Sequence, residues 1–285
     1  MPQRQTCGSF TKNTFAMMKP QLTYYDISPD TTAFSTTRHG GHSTGNYAEL
    51  NINRYCGDNP EDIEKNLEDL CRELGVDKER VIMPHQTHGT EVMQIGADFL
   101  SLSATVPSIG LLVAKTVYKL KISNNLLITD VKDVCIGVST ADCIPILIYD
   151  YAHHAAAAVH AGWRGTAKRI ACKAVKMMEV SFGSRPEDLT AVIGPGISID
   201  AFEVGDEVYA EFEAAGFNMA DISRKEDKWH IDLPECNRRQ LAAMGLKEDN
   251  INVSGVCTYN NSNDYFSARK LGTESGRIFT GIILR

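Results

Sequence analysis

Residues 134–166 read VCIGVSTADCIPILIYDYAHHAAAAVHAGWRGT and contain three apolar runs separated by short turns. Short apolar runs bounded by turn residues are typical of strands that are covered on both faces. The three runs predict strands at 134–139, 144–149 and 155–160. Cys143 lies between the first two predicted strands, and His160 ends the third. Thiolate and imidazole groups bind zinc together and also form a nucleophile with its base. The segment therefore predicts either a metal site or thiol chemistry.

The flanking sequence predicts further strands and helices. The clearest helix has Asn59 as its cap, Pro60 at the first helical position and Gly75 just past its end. Further helices are expected at 166–180, 206–215 and 233–244. Residues 96–125 are expected to be an irregular excursion, in which 112–120 is compatible with a short helix. Strands are expected at 22–37, 80–83, 90–95, 126–129, 189–193, 253–259 and 278–284. These elements interleave without regular alternation, which predicts a mixed α/β (α+β) fold with antiparallel pairs in mixed sheets packed between helices.

The composition limits the class of protein. The 285 residues, 43% of them hydrophobic, are enough for one large domain, expected over 18–285, and residues 1–17 are expected to be a disordered extension. The net charge of -7 argues against nucleic acid as a partner. No apolar run approaches the roughly 20 residues of a membrane helix, and the N-terminus lacks a signal-peptide core. A cytoplasmic protein without a membrane segment is expected.

The eight cysteines form no C-x-x-C pair, so most are expected to be buried free thiols. Cys143 differs because of its neighbours, and His88, in the turn after a predicted strand, is a third candidate ligand. Three ligands at distant strand ends are typical of a catalytic zinc site that leaves a fourth position for water or substrate. Arg38 begins a glycine-rich turn that is either an anion-binding loop or a plain loop.

Several strings in the chain resemble one known family. They are HQTHGTEV at 85–92, ADCIP at 141–145, HAGWRG at 160–165, TRHGG at 37–41, GPGI at 194–197 and FSAR at 266–269. Together they are similar to the YfiH family, also called the laccase-domain or polyphenol oxidoreductase family, and they span nearly the whole chain. The chain departs from the family pattern at Leu67, where relatives often have arginine, and at Asn125, which stands within their Asp-Ala-Leu run.

The resemblance implies a function and a ligand set. It implies that His88, Cys143 and His160 bind one zinc ion per chain, with copper less expected, and that His85 lies outside this triad. It implies phosphorolysis of purine nucleosides (adenosine, inosine, guanosine and methylthioadenosine), with adenosine deamination as a second activity. The partners would be nucleosides and phosphate, and the protein a monomer or small homo-oligomer with the YfiH-like fold.

Phosphate needs cationic donors, and Arg38 and Arg164 are the candidates for substrate or phosphate binding. Each is otherwise a surface arginine or an ion pair, and Trp163 either stacks on a base or belongs to the core. Three other functions remain open. The first is a thiol hydrolase or amidase acting on a cell-wall precursor, with Cys143 activated by His160. The others are a copper phenol oxidase, for which the chain has too few clustered histidines, and a non-enzymatic, zinc-stabilised interaction protein.

Overall fold

The computed structural model describes residues 19–86, 90–98 and 124–285. The predicted extension at 1–17 and residues 99–123 of the predicted irregular excursion lie outside these residues, and the single domain over 18–285 stays a prediction. No helix among the described residues is long and apolar enough to cross a bilayer.

The strands, in chain order, are β1 (Leu22–Tyr25), β2 (Thr31–Thr36), β3 (Val81–Ile82), β4 (Glu91–Ile95), β5 (Asn124–Thr129), β6 (Cys135–Thr140), β7 (Ile144–Asp150), β8 (Ala155–Ala161), β9 (Leu189–Ile193), β10 (Glu203–Val204), β11 (Ser223–Lys225), β12 (Trp229–Ile231), β13 (Ile251–Val253) and β14 (Ile278–Leu284). They form a first sheet in the order β1-β2-β14-β6-β3 and a second in the order β13-β9-β7-β8-β5-β4. A small third sheet has the order β10-β12-β11. Antiparallel pairs dominate, with parallel pairs at β3–β6, β4–β5 and β13–β9. The mixed α+β fold with antiparallel pairs is therefore confirmed.

The helices are α1 (Pro60–Leu74), α2 (Trp163–Ala167), α3 (Ile170–Phe182), α4 (Asp206–Ala214), α5 (Met219–Ile222), α6 (Leu233–Ala243) and α7 (Ala268–Leu271). Helix α1 begins as the sequence predicts. Asn59 caps it by accepting from the backbone N–H of Glu61, and Gly75 ends it in the left-handed conformation at φ 63. Gly75 can adopt this backbone without the steric cost that a Cβ would impose.

Alternating side chains of the two large sheets build three apolar side-chain layers, which lie between four layers of secondary structure. Ile136 and Val138 of β6 meet Leu147 of β7 and Ala158 of β8 in a dry layer between the sheets. The other face of the first sheet packs on α1, and the other face of the second packs on α3 and α6. Burial of each of these isoleucine, valine and leucine side chains stabilises the folded state by about 1.5–3 kcal/mol relative to exposure to water. The order of layers is helix, sheet, sheet, helices.

The structure corrects several predicted elements. The strand expected over 22–37 is a hairpin, because the chain turns between β1 and β2. The helix expected at 166–180 is divided into α2 and α3 at Arg169, whose φ of 61 is left-handed. The strand expected at 253–259 is instead β13 at Ile251–Val253, which ends where the predicted strand begins. The third sheet was not predicted from the sequence, because its strands have only two or three residues. Helix α5 was not predicted either, because it has only four residues.

Candidate metal centre

The pairing of β7 with β8 brings Cys143 and His160 together. Pro145 lies directly opposite His160 in this antiparallel pair. Cys143 directly precedes β7 and comes two residues before Pro145, so extending the printed register by one residue predicts that it is the diagonal neighbour of His160. Diagonal neighbours in an antiparallel pair lie roughly 7–8 Å apart between Cα atoms. Two side chains at this spacing can reach a common ion.

Both side chains belong to the face that covers the first sheet. Ala156 and Ala158 of β8 point into the layer between the two sheets, and His160 continues that row. Leu147 on β7 points into the same layer, and the alternation of side chains along β7 predicts the same face for Cys143, which directly precedes the strand. The pair thus stands at one end of the dry layer, where the two sheets meet.

A backbone carbonyl orients the His160 ring. Nδ1 of His160 lies 3.0 Å from the carbonyl oxygen of Ser139, the fifth residue of β6, and the histidine is only 7% exposed. A carbonyl oxygen can only accept, so this contact favours the tautomer with the proton on Nδ1 and the lone pair on Nε2. This is the neutral tautomer that metal-bound histidines adopt when a carbonyl accepts from the second nitrogen.

The carboxamide of Gln86 reaches the same two residues. Its Oε1 accepts a hydrogen bond of 3.0 Å from the Ser139 N–H. Its Nε2 contacts Nδ1 of His160. Asn53 lies on the other side of Ser139 and donates from Nδ2 to the Ser139 hydroxyl at 2.7 Å. Ser139 is therefore held by two amide side chains and in turn holds the imidazole.

Asp142 fixes the turn that presents Cys143. Its φ of 83 lies in the left-handed region, which a short polar side chain tolerates better than most. Oδ1 accepts from the Thr258 hydroxyl and Oδ2 from the Arg269 N–H, each at 2.7 Å. The carbonyl oxygen accepts from the Ile197 N–H at 2.8 Å. These hydrogen bonds fix the turn itself.

The thiol of Cys143 is neutral near pH 7 unless a cation compensates its charge. Part of the residue is accessible to solvent, but the thiol lies deep among protein atoms, and this burial raises its pKa to about 12. The adjacent Asp142 carboxylate raises the pKa further, whereas Arg277 opposes the shift. A buried thiol with a raised pKa is a poor nucleophile, and a bound cation is the usual means of deprotonating it.

His88 lies outside the described residues, so its place relative to Cys143 and His160 stays a prediction. Among residues 19–86, 90–98 and 124–285, no three His, Cys, Asp or Glu side chains are gathered as a metal site. His85 packs its ring against Tyr55, with centroids 4.2 Å apart.

The glycine-rich turn after Arg38 is packed against protein rather than open to an anion. A Cβ on Gly41 would lie 2.4 Å from the carbonyl oxygen of Glu49, so only glycine fits there. The N–H of Gly40 donates to the Glu49 carboxylate at 2.8 Å. Arg38 itself donates from Nε to Ala48 O and from Nη1 to Ser262 O, both at 2.7 Å. These contacts favour a structural turn, in which Arg38 ties two loops together.

Arg164 is exposed on the first turn of α2, with its guanidinium 4.1 Å from the centre of the Trp163 ring. Trp163 is half-buried and packs on the helix side of the second sheet. Helix α2 begins two residues after the end of β8, and Arg164 lies four residues after His160 in the chain. The two arginines suggested by the sequence therefore differ in their contacts. Arg38 donates to two backbone carbonyls, whereas Arg164 is exposed at the surface.

Comparison with known proteins extends this description. The family described as multi-copper polyphenol oxidoreductase laccase matches residues 32–285. The chain belongs to this laccase-domain family. The resemblance drawn from the sequence strings is therefore confirmed.

Similar proteins carry names that state an activity. A purine nucleoside phosphorylase of Bacteroides thetaiotaomicron is 42% identical over 254 residues, which are 88% of this chain and 90% of the relative. A protein from an unknown prokaryotic organism, named adenosine deaminase RL5, is 39% identical over 88% of this chain and 92% of its own length. The crystal structure of the hypothetical protein YfiH of Bacillus licheniformis has a TM-score of 0.84 at 26% identity. That likeness covers 96% of this chain and 100% of that one.

The donor atoms of Cys143 and His160 fit a zinc ion. Cys143 offers a sulfur, and His160 offers an imidazole whose Nδ1 lies 3.0 Å from the carbonyl oxygen of Ser139. Thiolate and imidazole are the ligands that zinc prefers, and carbonyl support of the histidine is typical of such sites. The family description names several coppers, but the described cysteine and histidine pair is a single small donor set.

No sequence motif predicts a role for four residues that the structure places around the site: Asn53, Gln86, Ser139 and Thr258. Gln86 stands in the string at 85–92, and its place two residues before His88 is the only local signal of a role. Ser139 and Thr258 act through contacts that join residues 53 and 116 positions apart, which no local pattern reveals.

Proposed function

We propose that this chain is a zinc-dependent purine nucleoside phosphorylase that acts on adenosine, inosine, guanosine and methylthioadenosine. Adenosine deamination is proposed as a second activity of the same site. The relatives named for these two activities share 42% and 39% of the aligned residues with this chain, which supports both parts of the proposal. Nucleosides and phosphate would then be its partners.

The observation that carries the proposal is the Nδ1–O contact of 3.0 Å between His160 and Ser139. It leaves Nε2 as the ligating nitrogen on the face that Cys143 shares. We propose that His88 completes the ligand set. Chain connectivity keeps its Cα within about 7 Å of the Cα of Gln86, and Gln86 touches His160.

Zinc bound there would supply a Lewis acid and, for deamination, a bound water acidified toward neutrality. The chain's own residues position the reactants. In phosphorolysis, phosphate must be held beside the anomeric carbon while the base departs, so cationic donors and orientation carry the reaction. We propose that Arg164 binds phosphate, because it is an exposed cation that closely follows His160. Arg38 is proposed to act mainly by holding the loops at 48 and 262 in place.

The thiol-hydrolase alternative requires Cys143 to be an activated nucleophile. Burial raises its pKa to about 12, which opposes that role in a metal-free site. Zinc would hold the sulfur as a thiolate and occupy it at the same time, so the two functions exclude each other. Chelation distinguishes them, because a hydrolase would keep its activity after zinc is removed.

The deciding experiment incubates the purified protein with adenosine and phosphate and resolves adenine, inosine and hypoxanthine by chromatography. Adenine that depends on phosphate indicates phosphorolysis, and inosine that forms without phosphate indicates deamination. Cys143→Ser is expected to lose both zinc and product. Cys172→Ser, on α3, is the matched control and is expected to keep both. If wild-type protein forms no more product than Cys143→Ser, the proposal is wrong.

A further inference from the structure

We propose that Gln86 is a positioning residue that decides which ring nitrogen of His160 carries the proton, and through this sets the affinity for zinc. The zinc part rests on the proposed function, whereas the proton position can be measured in the metal-free protein. Gln86 is not suggested to touch substrate or metal.

The orientation of the Gln86 carboxamide follows from Ser139. The Ser139 N–H can only donate, so the atom 3.0 Å from it is the oxygen, Oε1. Nε2 of Gln86, which can only donate, is then the atom that faces Nδ1 of His160. Nδ1 thus has two neighbours with opposite requirements. Ser139 O, at 3.0 Å, requires a proton on Nδ1, whereas Gln86 Nε2 requires a lone pair there.

Each neutral tautomer of His160 satisfies one of these neighbours. With the proton on Nδ1, Ser139 O is satisfied and Nε2 keeps the lone pair that ligation requires. With the proton on Nε2, Gln86 is satisfied and that nitrogen cannot ligate. Gln86 therefore competes with Ser139 for the ring, and any ligand that binds Nε2 must select the first tautomer from the two.

This arrangement predicts the sign of substitutions at position 86. In Gln86→Glu, one carboxylate oxygen accepts from the Ser139 N–H and the other accepts from Nδ1–H, so both contacts favour the ligating tautomer. In Gln86→Met, the competing donor is removed without adding a charge. Both changes are expected to move the ring proton to Nδ1. A carboxylate behind a ligating histidine also raises its basicity, so Gln86→Glu is expected to bind zinc about tenfold more tightly.

The test uses full-length protein labelled with 15N at histidine. NMR of the zinc-free protein at constant pH reports which nitrogen of His160 is protonated, and competition with a chelator reports the zinc affinity. Gln94→Glu, on an exposed position of β4, is the matched control for the added charge. A purely structural role for Gln86 would change stability but not the proton position.

The expected result is a shift of the ring proton to Nδ1 in Gln86→Glu and Gln86→Met, with tighter zinc binding in the first and no change in Gln94→Glu. Unaltered proton positions in both variants would overturn the proposal, as would tighter zinc binding in Gln94→Glu equal to that in Gln86→Glu. If wild-type protein binds no zinc, the proposed function fails, and the NMR measurement still decides the role of Gln86.

Discussion

The hydroxyl of Thr258 donates a hydrogen bond of 2.7 Å to Oδ1 of Asp142, joining residues that are 116 positions apart. Thr258 is fully buried, and its partner is the residue that precedes Cys143 in a left-handed turn. The segment after β13 thus fixes the cysteine through the neighbouring carboxylate. The position of one candidate ligand depends on a part of the chain that contains none of the others.

Replacing Thr258 with valine is expected to weaken zinc binding and to destabilise the fold. The two side chains have the same shape, but valine leaves Oδ1 of Asp142 without this donor, and a hydrogen bond to a charged group contributes about 1.5–3 kcal/mol. Denaturant unfolding and chelator competition measure the two effects. Thr258→Ser keeps the hydroxyl and is the control. Equal zinc affinity in the valine and serine variants would show that this hydrogen bond does not position Cys143.

The sequence predicted those parts of the fold and site that depend on local pattern. The strands β7, β8, β9 and β14 were found within one residue of their ends, because their apolar runs are continuous and end at turn residues. Cys143 and His160 were chosen because thiol and imidazole groups at strand ends are chemically distinctive. Their placement on one face follows from register, which the structure alone supplies.

Features that depend on tertiary contacts were not predicted. The break at Arg169 between α2 and α3 is an example, since the periodicity of the segment continues through it. The guanidinium of Arg169 lies 3.5 Å from the centre of the Phe217 ring and donates to Ala215 O at 2.9 Å. These contacts stabilise a backbone that helix propensity alone disfavours. The role of Gln86 was likewise not predicted, because its partners Ser139 and His160 come from the distant strands β6 and β8.

Helix α1 offers a direct test of a feature that the sequence predicted. Oδ1 of Asn59 accepts from the Glu61 N–H at 2.9 Å, which satisfies one of the unpaired donors at the start of the helix. Asn59→Ala is expected to lower the free energy of unfolding by about 1 kcal/mol. Asn59→Asp keeps the acceptor and adds a charge that the helix dipole favours, so its stability should match or exceed wild type. Thermal unfolding of both variants measures the difference, and an alanine variant as stable as the aspartate variant would contradict it.

The buried thiol of Cys71 is expected to make the folded protein less stable as the pH becomes alkaline. Burial is the main cause that raises its pKa from 9.0 to about 11, and Lys78 opposes the shift. Because the folded pKa lies above the unfolded one, this contribution is fully present below about pH 9 and is lost as pH rises toward 11. The loss approaches about 1.4 kcal/mol per pH unit in that window.

Urea unfolding of wild type and Cys71→Ala at pH 7, 9, 10 and 11 isolates this contribution. The alanine variant is less stable at neutral pH because it leaves a small cavity, and its deficit is expected to shrink above pH 9. Cys135 and Cys236 also have raised pKa values from burial, so both proteins still lose stability in alkali. A deficit that stays constant from pH 7 to 11 would show that Cys71 does not titrate differently in the folded state.

Asn66 is expected to be the most sensitive polar position of α1. It is fully buried, and its Nδ2 donates to the Ser43 hydroxyl at 2.9 Å and to Asn51 O at 2.8 Å. Its Oδ1 accepts from the His42 N–H at 2.7 Å. Replacement by leucine removes all three hydrogen bonds, and the Asn51 carbonyl and the His42 N–H lose this partner at about 1–3 kcal/mol each, so Asn66→Leu should destabilise the protein by about 3 kcal/mol.

The same change should loosen the loop that holds Arg38, because Asn66 ties this loop to the helix. Denaturant unfolding measures the stability, and limited proteolysis followed by mass spectrometry shows whether new cleavage falls within residues 38–51. Asn46→Ala, at an exposed asparagine in the same loop, is the control and is expected to stay within about 0.5 kcal/mol of wild type. Cleavage outside the loop alone would mean that Asn66 stabilises the helix without ordering the loop.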